Sequence, residues 1–262
     1  IIIIIMSQLN VIILAAGKGS RMCSYIPKAL CEINNRPMLF YVLDNAIKLN
    51  PYKIVIVVGY KKDLIIEKLK EYPYDNIEFV EQSNQFGTGH AVMVTRDKLY
   101  STASNCLIYF ADNPCISESL LKSIVKHHLD NDNDGTLLIT EEEYTYKKRG
   151  RIIRNNNKIT EIYEDVNENY PSNEFNGGIQ IYKTTLMYDS LDQITSDNDQ
   201  NEYYLGDIVK IITSNDGKIG SVTVTDTAEL LNVNNQSDLK EAEKLINTIN
   251  SNNNLNNNQL NE

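Results

Sequence analysis

The sequence contains few cysteines, and their spacing does not suggest a structural framework. The 4 cysteines are Cys23, Cys31, Cys106 and Cys115, and no Cys-x-x-Cys pair occurs among them. Disulfide-dependent domains are small, secreted and dense in cysteine. We therefore expect a reduced, cytoplasmic setting rather than a disulfide-stabilised scaffold.

A surplus of positive charge is also absent. Lys and Arg together number 25 against 35 Asp and Glu, which gives a formal net charge of -10 at pH 7. Nucleic acids and anionic membranes are bound through basic surfaces, so the composition argues against both kinds of partner. A small phosphorylated ligand needs only a local basic pocket, and the net charge does not exclude it.

The chain has no hydrophobic run of the length that a membrane span requires. Residues Ile1 to Ile5 are apolar, but they are too few to cross a bilayer and have neither a basic flank nor a cleavage site. We expect an unstructured leader over 1–5, with Met6 as the natural start, and a folded domain over 6–249. The asparagine-rich tail over 250–262 has too little apolar surface to order itself, and we expect it to be disordered.

The sequence does contain a buried strand that leads into a small, basic loop. The apolar run Leu9 to Leu14 is followed by Ala15-Ala16-Gly17 and then by Lys18-Gly19-Ser20-Arg21. Glycines let backbone N–H groups approach an anion closely, and Arg21 and Lys28 can donate charge-assisted hydrogen bonds to phosphate oxygens. The loop is a candidate phosphate-binding site, and the alternative is an exposed turn with basic side chains.

Two common phosphate-binding motifs do not fit this loop. A dinucleotide fingerprint needs a third glycine where this chain has Met22. A P-loop needs Gly-Lys-Ser or Gly-Lys-Thr directly before a helix. Here the order is Gly17-Lys18-Gly19-Ser20, and Pro27 follows soon after.

The first half of the chain alternates between strand and helix patterns. This alternation predicts a mostly parallel sheet covered by helices on both faces, with ligands bound beyond the carboxyl ends of the strands. After the first strand, the predicted strands are 53–58, 77–81, 106–110 and 136–140.

The pattern changes to β structure near Glu141. Two runs joined by Asn155-Asn156-Asn157 are typical of a hairpin, and Phe175 to Lys183 is another predicted strand. We expect an antiparallel lobe over about 141–200 that walls a substrate pocket. Later segments predict helices near 184–191, 203–213 and 238–249 and a strand over 219–225.

A carboxylate follows the fourth predicted strand, in Phe110-Ala111-Asp112. At the carboxyl end of a parallel strand it can hold a hard cation, and Mg²⁺ takes oxygen ligands from one or two carboxylates and from substrate phosphates. The alternative is that Asp112 caps the turn before Pro114.

Two stretches together resemble a known family. The string Leu14 to Met22 with Pro27-Lys28, and the string Gly87-Thr88-Gly89-His90-Ala91, are similar to the signatures of sugar-1-phosphate nucleotidylyltransferases. Within that family they resemble the N-terminal uridylyltransferase domain of bacterial N-acetylglucosamine-1-phosphate uridyltransferases. The resemblance implies a Rossmann-like, mostly parallel sheet of the nucleotide-diphospho-sugar transferase type, with an antiparallel sugar-binding lobe.

The resemblance also implies roles for particular residues. Arg21 and Lys28 would be catalytic, and Mg²⁺ would be held by Asp112 and by Asn234, in a segment similar to the family's Gly-Val-Asn. Without the resemblance, Asn234 would be interpreted as a helix cap. The implied substrate-binding residues are Leu14, Ala15, Ala16, Gly17, Lys18, Gly19, Gln82, Gly87, Thr88, Phe110, Ala111, Gly150, Glu164 and Asn176.

The sugar side departs from the family pattern at several positions. Arg149 stands in place of a tyrosine, Ala111 in place of a glycine, and Gly177 and Gly206 each in place of a threonine. The contacts to an acyl group on the sugar are therefore the least supported part of the resemblance.

The expected reaction joins UTP and N-acetylglucosamine-1-phosphate to give UDP-N-acetylglucosamine and pyrophosphate. The alternatives are another sugar-1-phosphate such as glucose-1-phosphate, CTP in place of UTP, or a catalytically silent relative that senses nucleotides. The hexapeptide repeats of the bifunctional family members do not occur, so we expect no acetyltransferase activity. The sequence does not determine the oligomeric state.

Overall fold

The fold is built from eleven strands and eight helices in the part of the chain that the structure, a computed structural model, describes: residues 9–22, 25–74, 76–141, 150–164 and 172–259. The strands are β1 (Leu9–Ala15), β2 (Glu32–Ile33), β3 (Arg36–Pro37), β4 (Lys53–Val58), β5 (Ile77–Glu81), β6 (Asn105–Phe110), β7 (Gly135–Thr140), β8 (Arg151–Asn155), β9 (Lys158–Tyr163), β10 (Phe175–Lys183) and β11 (Ile219–Thr223). The helices are α1 (Met38–Ile47), α2 (Lys62–Leu69), α3 (Thr88–Met93), α4 (Arg96–Leu99), α5 (Glu118–Asp130), α6 (Thr184–Leu191), α7 (Asp207–Ser214) and α8 (Gln236–Gln259).

One mixed sheet organises the molecule, with the strand order β11-β7-β10-β6-β1-β4-β5. β1 pairs in parallel with both β4 and β6, and β5 and β11 extend the sheet in parallel at its two edges. Only β10 runs antiparallel to its neighbours β6 and β7 within this order. The sheet is therefore mostly parallel, and the predicted fold class is confirmed.

The first strand lies in the middle of this sheet because both of its faces are apolar. All residues of β1 are buried, with Val11 and Ile13 packed in one layer and Ile12 and Leu14 in the other. Full burial of such a side chain contributes about 2 kcal/mol. Asn10 is the polar exception, and its Nδ2 donates a hydrogen bond to Thr102 Oγ1 at 2.9 Å.

Helices cover both faces of the sheet. A third and smaller cluster of buried apolar side chains joins the two ends of the described chain. One face packs against α1, α2 and α5, and the other against α3, α6 and α7. In the third cluster, Ala242 and Ile246 of α8 pack with Met22 and Ile33 from the segment after β1. This contact brings the start of α8 beside the glycine loop, residues 17–21.

Several predicted elements occur in the structure at the predicted positions and are stabilised by the predicted contacts. β4 and β5 have the expected bounds. Ser117 caps α5, and its Oγ accepts a hydrogen bond from Leu120 N at 3.1 Å. The β8–β9 turn has positive φ at Asn156 and Asn157, which matches the right-handed twist of a hairpin. In the described residues, Cys31, Cys106 and Cys115 are buried and form no disulfide bond with one another.

The sequence predicts that the strand Phe175–Lys183 belongs to an antiparallel lobe over about 141–200, but the structure places it elsewhere. It forms β10 in the centre of the main sheet, where Ile179, Ile181 and Tyr182 are fully buried. A strand with apolar side chains on both faces is stable only where both faces are covered. The hairpin β8–β9 remains as the antiparallel addition, attached to the sheet through β10.

Two helix boundaries also differ from the sequence analysis. α7 begins at Asp207 rather than near Tyr203, because the backbone of Tyr203 is hydrogen-bonded to Phe86 and Gly89 instead. α8 continues to Gln259, whereas we expect disorder from Asn250; extension of a helix that is already packed costs little per residue. No helix in the described ranges combines the length and apolar character that crossing a membrane needs.

Candidate active site

The glycine loop lies where the carboxyl ends of β1 and β6 meet. Ala111 N, just after β6, donates a hydrogen bond to Leu14 O at 3.0 Å, which holds the two strand ends together. Gln85 Nε2 donates to Ala16 O at 2.5 Å from the opposite side. The loop therefore forms one rim of a pocket at the edge of the sheet that the sequence analysis predicts for ligands.

This first pocket encloses about 490 Å³ and collects residues from distant parts of the chain. Its floor is the end of β1, and its walls come from the glycine loop, the segment before α3 and the turn after β6. The predicted residues that line it are Leu14, Ala15, Ala16, Gly17, Gly19, Arg21, Lys28, Gln82, Gly87, Thr88, Phe110, Ala111, Asp112 and Asn234.

Gly19 is a position where the backbone requires glycine. Its φ is +61°, and a Cβ built there would lie 2.7 Å from Lys28 Cβ. The missing side chain lets the loop lie directly against Lys28 and leaves the ammonium group free to reach the pocket. A larger residue at 19 would move either the loop or Lys28.

Two cations, a carboxylate and an amide meet at one wall of the pocket. Lys28 Nζ forms an ion pair with Asp112 Oδ2 and donates to Asn234 Oδ1 at 2.9 Å. Arg21 Nη2 donates to the same Asn234 oxygen at 3.0 Å. Positive charge is thus concentrated at the point where the glycine loop faces the turn after β6, which suits a polyphosphate.

Asn234 reaches this wall through the segment that leads into α8. Val233 N donates to Asp112 O at 2.9 Å, which ties the segment to the turn after β6. Asp238 Oδ2 accepts hydrogen bonds from the backbone N–H groups of Asn234 and Asn235 at 2.7 and 3.1 Å. The start of α8 therefore holds the Asn234 side chain in place.

The donor set at this wall fits Mg²⁺. The carboxylate oxygen of Asp112 and the amide oxygen of Asn234 both contact one ammonium nitrogen, so they converge on a single cationic position. Hard divalent cations prefer such oxygen ligands, and Mg²⁺ commonly binds with one or two carboxylates together with substrate phosphates. In the described residues no group of three or more His, Cys, Asp and Glu side chains forms a metal site.

The far end of the first pocket carries an oriented amide. Gln82 Nε2 donates to Gly87 O at 3.0 Å and lies 3.0 Å from His90 Nδ1. Burial lowers the pKa of His90, so the ring is neutral near pH 7 and Nδ1 can accept. Because these contacts occupy the amine of Gln82, its Oε1 is the end left for a ligand.

A second, larger pocket of about 990 Å³ adjoins the first and contains the predicted sugar residues Gly150, Glu164 and Asn176. A row of residues between the two cavities lines both of them: Arg21, Thr88, Phe110, Glu202 and Asn234. A ligand in one pocket would therefore touch a ligand in the other at the cationic wall.

Glu164 lies between two glycines in the second pocket. A Cβ at Gly150 or at Gly206 would approach Glu164 Oε1 to 2.9 or 3.0 Å. Burial of the carboxyl, with a smaller contribution from nearby Asp207, raises the pKa of Glu164 to about 7. This carboxyl consequently changes its charge near neutral pH.

Lys18 is the one predicted site residue, among those that the structure describes, that neither pocket contains. It is exposed, and its Nζ lies over the ring of Tyr60 at 5.9 Å.

Two positions where the sequence departs from the family pattern also do not line the second pocket as described. Arg149 lies outside the described residues. Gly177 does not face the second pocket, since a Cβ there would lie 2.8 Å from Leu138 O on β7. This contact explains why the family's threonine is not accommodated in this backbone.

The structure also reveals pocket residues that the sequence analysis does not single out. Gln85 lines the first pocket, Glu202 lines both pockets, and Gln180 and Tyr204 line the second one. Gln180 could have been found from the sequence, because it is an amide between two isoleucines of a predicted strand. The other three lie in the stretches 81–91 and 202–207, which resemble the family, but the resemblance assigns them no role.

Comparison with known proteins identifies the class. The model of the MobA-like NTP transferase domain matches residues 11–202, and the chain belongs to this family of nucleotidyltransferases.

Particular relatives share this class. The chain is 37 % identical over 239 residues to the bifunctional protein GlmU of Streptococcus uberis, and 37 % identical over 239 residues to that of Streptococcus mutans. Each match covers 90 % of this chain and 51 % of the relative, so the chain spans about half the length of the curated relatives it matches.

Solved structures agree on the fold. The structure of apo-UDP-glucose pyrophosphorylase superposes with a TM-score of 0.73 at 19 % identity, covering 93 % of this chain and 99 % of that one. A putative glucose-1-phosphate thymidylyltransferase from Bacillus anthracis gives 0.73 at 17 % identity, with 90 % and 94 % covered. At these identities the likeness establishes a Rossmann-like nucleotidyltransferase fold and nothing finer.

Proposed function

We propose that the protein transfers UMP from UTP to N-acetylglucosamine-1-phosphate, giving UDP-N-acetylglucosamine and pyrophosphate. The observation that carries this proposal is the shared wall of the two pockets, where Arg21 and Lys28 meet Asp112 and Asn234. A nucleoside triphosphate in the first pocket and a sugar phosphate in the second would meet at this wall. Two anions can approach each other there because the local charge is positive.

The two cations bind different phosphates of the triphosphate. Arg21 and the backbone of the glycine loop hold the β- and γ-phosphates, and Lys28 neutralises the charge that grows on the α-phosphate. Asp112 and Asn234 would hold Mg²⁺, which, when bound, reduces the negative charge of the two substrates. Lys28 Nζ contacts both of these oxygens, so the bound ion would displace the ammonium group from them towards the α-phosphate.

The reaction needs no covalent intermediate with the protein. An oxygen of the sugar phosphate attacks the α-phosphorus of UTP, a new oxygen–phosphorus bond forms, and the bond to pyrophosphate breaks. The chain contributes orientation of the two substrates in line and stabilisation of charge, which are the main sources of rate in phosphoryl transfer.

The base end of the first pocket supports UTP. Gln82 presents its Oε1 after its amine is used by Gly87 and His90. Uracil carries an N3–H donor that fits such an acceptor, together with two carbonyl groups that backbone N–H groups at Gly87 and Thr88 can bind. Cytosine has no hydrogen on N3, and CTP is therefore the less suitable substrate.

The identity of the sugar rests on the second pocket and on the relatives. Glu164 and Asn176 offer acceptors and donors for sugar hydroxyls, and Gly150 contributes its backbone. The similarity to bifunctional GlmU proteins favours N-acetylglucosamine-1-phosphate. Gly206, which lines the second pocket, removes one side chain of the family pattern there, and this observation favours glucose-1-phosphate as the second candidate.

A substrate matrix tests the proposal. The purified protein is incubated with Mg²⁺, with UTP or CTP, and with N-acetylglucosamine-1-phosphate, glucosamine-1-phosphate or glucose-1-phosphate. Pyrophosphate release is followed continuously, and the nucleotide sugar is identified by mass spectrometry. We expect the largest kcat/KM for UTP with N-acetylglucosamine-1-phosphate.

The other outcomes of the matrix are informative as well. A higher kcat/KM with glucose-1-phosphate would assign the second candidate and reject the first. Tight binding of UDP-sugars without pyrophosphate release from any pair would instead identify a silent, nucleotide-sensing relative.

A further inference from the structure

The floor of the second pocket contains an amide that the roles above do not use. Gln180 belongs to β10, is 3 % exposed, and lines the pocket together with Asn176 and Gly178 of the same strand. Its neighbours Ile179 and Ile181 are completely buried in the core. A polar side chain at such a position costs free energy unless its donors and acceptors are used.

The acceptor end of this amide is already occupied. Tyr182 Oη donates a hydrogen bond to Gln180 Oε1 at 2.7 Å. The Tyr182 ring is fully buried, and it packs over Gly135 of β7, where a Cβ would lie only 2.6 Å from the ring. Because the Tyr182 ring is buried and closely packed, its hydroxyl holds the amide in one orientation, with Oε1 turned to the tyrosine.

The donor end is unused. Within the described residues, no hydrogen-bond partner contacts Gln180 Nε2, although the group carries two N–H donors. Gln180 lines the open space of the pocket, so a ligand can supply the missing acceptor. Binding such an acceptor would recover the free energy that the buried amine has lost by leaving water.

We propose that Gln180 determines the sugar specificity of the second pocket: its Nε2 donates a hydrogen bond to an oxygen of the sugar and so selects sugar phosphates that carry an acceptor at the buried end. This inference rests on the proposed function, because it assigns the second pocket to a sugar phosphate. Tyr182 is the positioning residue, since it acts through the orientation of the amide.

Binding measurements on Gln180→Leu test the proposal. Leucine has a similar size but neither polar end. Calorimetry compares N-acetylglucosamine-1-phosphate and glucose-1-phosphate with their monodeoxy analogues. We expect the wild type to bind the analogue that lacks the contacted oxygen about 10- to 100-fold more weakly than its parent. In Gln180→Leu this ratio should fall close to one, while the affinity for UTP stays unchanged.

Two further variants make the result specific. Tyr182→Phe keeps the ring but frees Oε1, so the amide can turn and the ratio should fall part of the way. Gln193→Leu makes the same change at an exposed glutamine and should keep the wild-type ratio. If Gln180→Leu does not fold, Tyr182→Phe carries the test, and a wild-type ratio in that variant overturns the proposal.

A wild-type ratio in folded Gln180→Leu overturns the proposal. So does an equal loss of affinity for UTP and for every sugar phosphate, which would indicate a structural role. Failure of the wild type to bind any sugar phosphate also overturns it. If the wild type binds sugar phosphates but releases no pyrophosphate, the proposed function fails while the binding ratios still decide the role of Gln180.

Discussion

Lys28 Nζ and Asn234 Oδ1 lie 2.9 Å apart, although 206 positions separate the two residues in the sequence. The contact joins the segment after β1 to the start of α8 and closes the wall between the two pockets. Lys28 is mostly shielded from solvent, with 14 % of its side chain exposed. A cation in this setting interacts with phosphate more strongly than one in bulk water.

Replacement of Lys28 by alanine should abolish most of the activity. We expect kcat for pyrophosphate release to fall about 100- to 1000-fold, because one preorganised electrostatic group is lost from the α-phosphate. The melting temperature should change little. Lys126→Ala is the matched control, since Lys126 is an exposed lysine paired with Asp130 on α5. Near-normal turnover in Lys28→Ala would refute the assignment.

Asp112→Asn should weaken metal binding without changing the size of the side chain. We expect kcat to fall at least about 100-fold and the affinity for Mn²⁺, used as a paramagnetic probe in place of Mg²⁺, to fall in parallel. EDTA should stop turnover in the wild type, and added Mg²⁺ should restore it. Asp130→Asn, at an exposed aspartate of α5, should leave both measurements unchanged. Unaltered Mn²⁺ binding in Asp112→Asn contradicts the proposed ligand.

The two loop glycines should differ in their tolerance of alanine. Gly19 has φ +61°, and its Cβ would collide with Lys28 Cβ, whereas a Cβ at Gly17 meets nothing within 4 Å. Gly19→Ala should cost about 1–2 kcal/mol and displace Lys28, which lowers both Tm and kcat. Gly17→Ala should keep the wild-type Tm. Equal melting temperatures for the two variants would show that the loop relaxes freely.

Glu164 should make sugar binding depend on pH. Its pKa is raised to about 7, so between pH 6 and pH 8 the carboxyl becomes an anion that accepts hydrogen bonds from sugar hydroxyls. The KM for the sugar phosphate should fall by up to about tenfold over this range. Glu164→Gln should lose that part of the dependence and retain the part due to the substrate phosphate, whose second pKa is about 6.

The free energy of unfolding should also depend on the ionisation of Glu164, and the direction of this pH dependence follows from the raised pKa. The unfolded chain ionises Glu164 near the ordinary value of 4.5, before the folded protein does. Glu164 therefore lowers the free energy of unfolding as pH rises from 4.5 towards 7, and Glu164→Gln should remove this contribution to the slope. Glu174→Gln, a carboxylate paired with Arg154 outside the pockets, is the control. Identical slopes for the wild type and Glu164→Gln would contradict the shifted pKa.

The sequence by itself determined the local elements of this protein. Continuous apolar runs define β1 and β4 because both faces of a parallel strand are covered, and Ser117 marks the start of α5 by its capping oxygen. The glycine loop and its basic residues were recognisable because phosphate binding needs small residues and cations close together in sequence. The role of each of these residues stays a prediction.

Only the tertiary structure decided which distant residues share a site. The place of β10 in the central sheet, the loss of Lys18 from the pocket and the meeting of Lys28 with Asn234 depend on contacts between segments far apart in the chain. Such contacts have no local pattern, because they arise when packed layers bring strand ends to one edge. For the same reason Gln180 became interpretable only when its pocket and its fixed tyrosine partner were known.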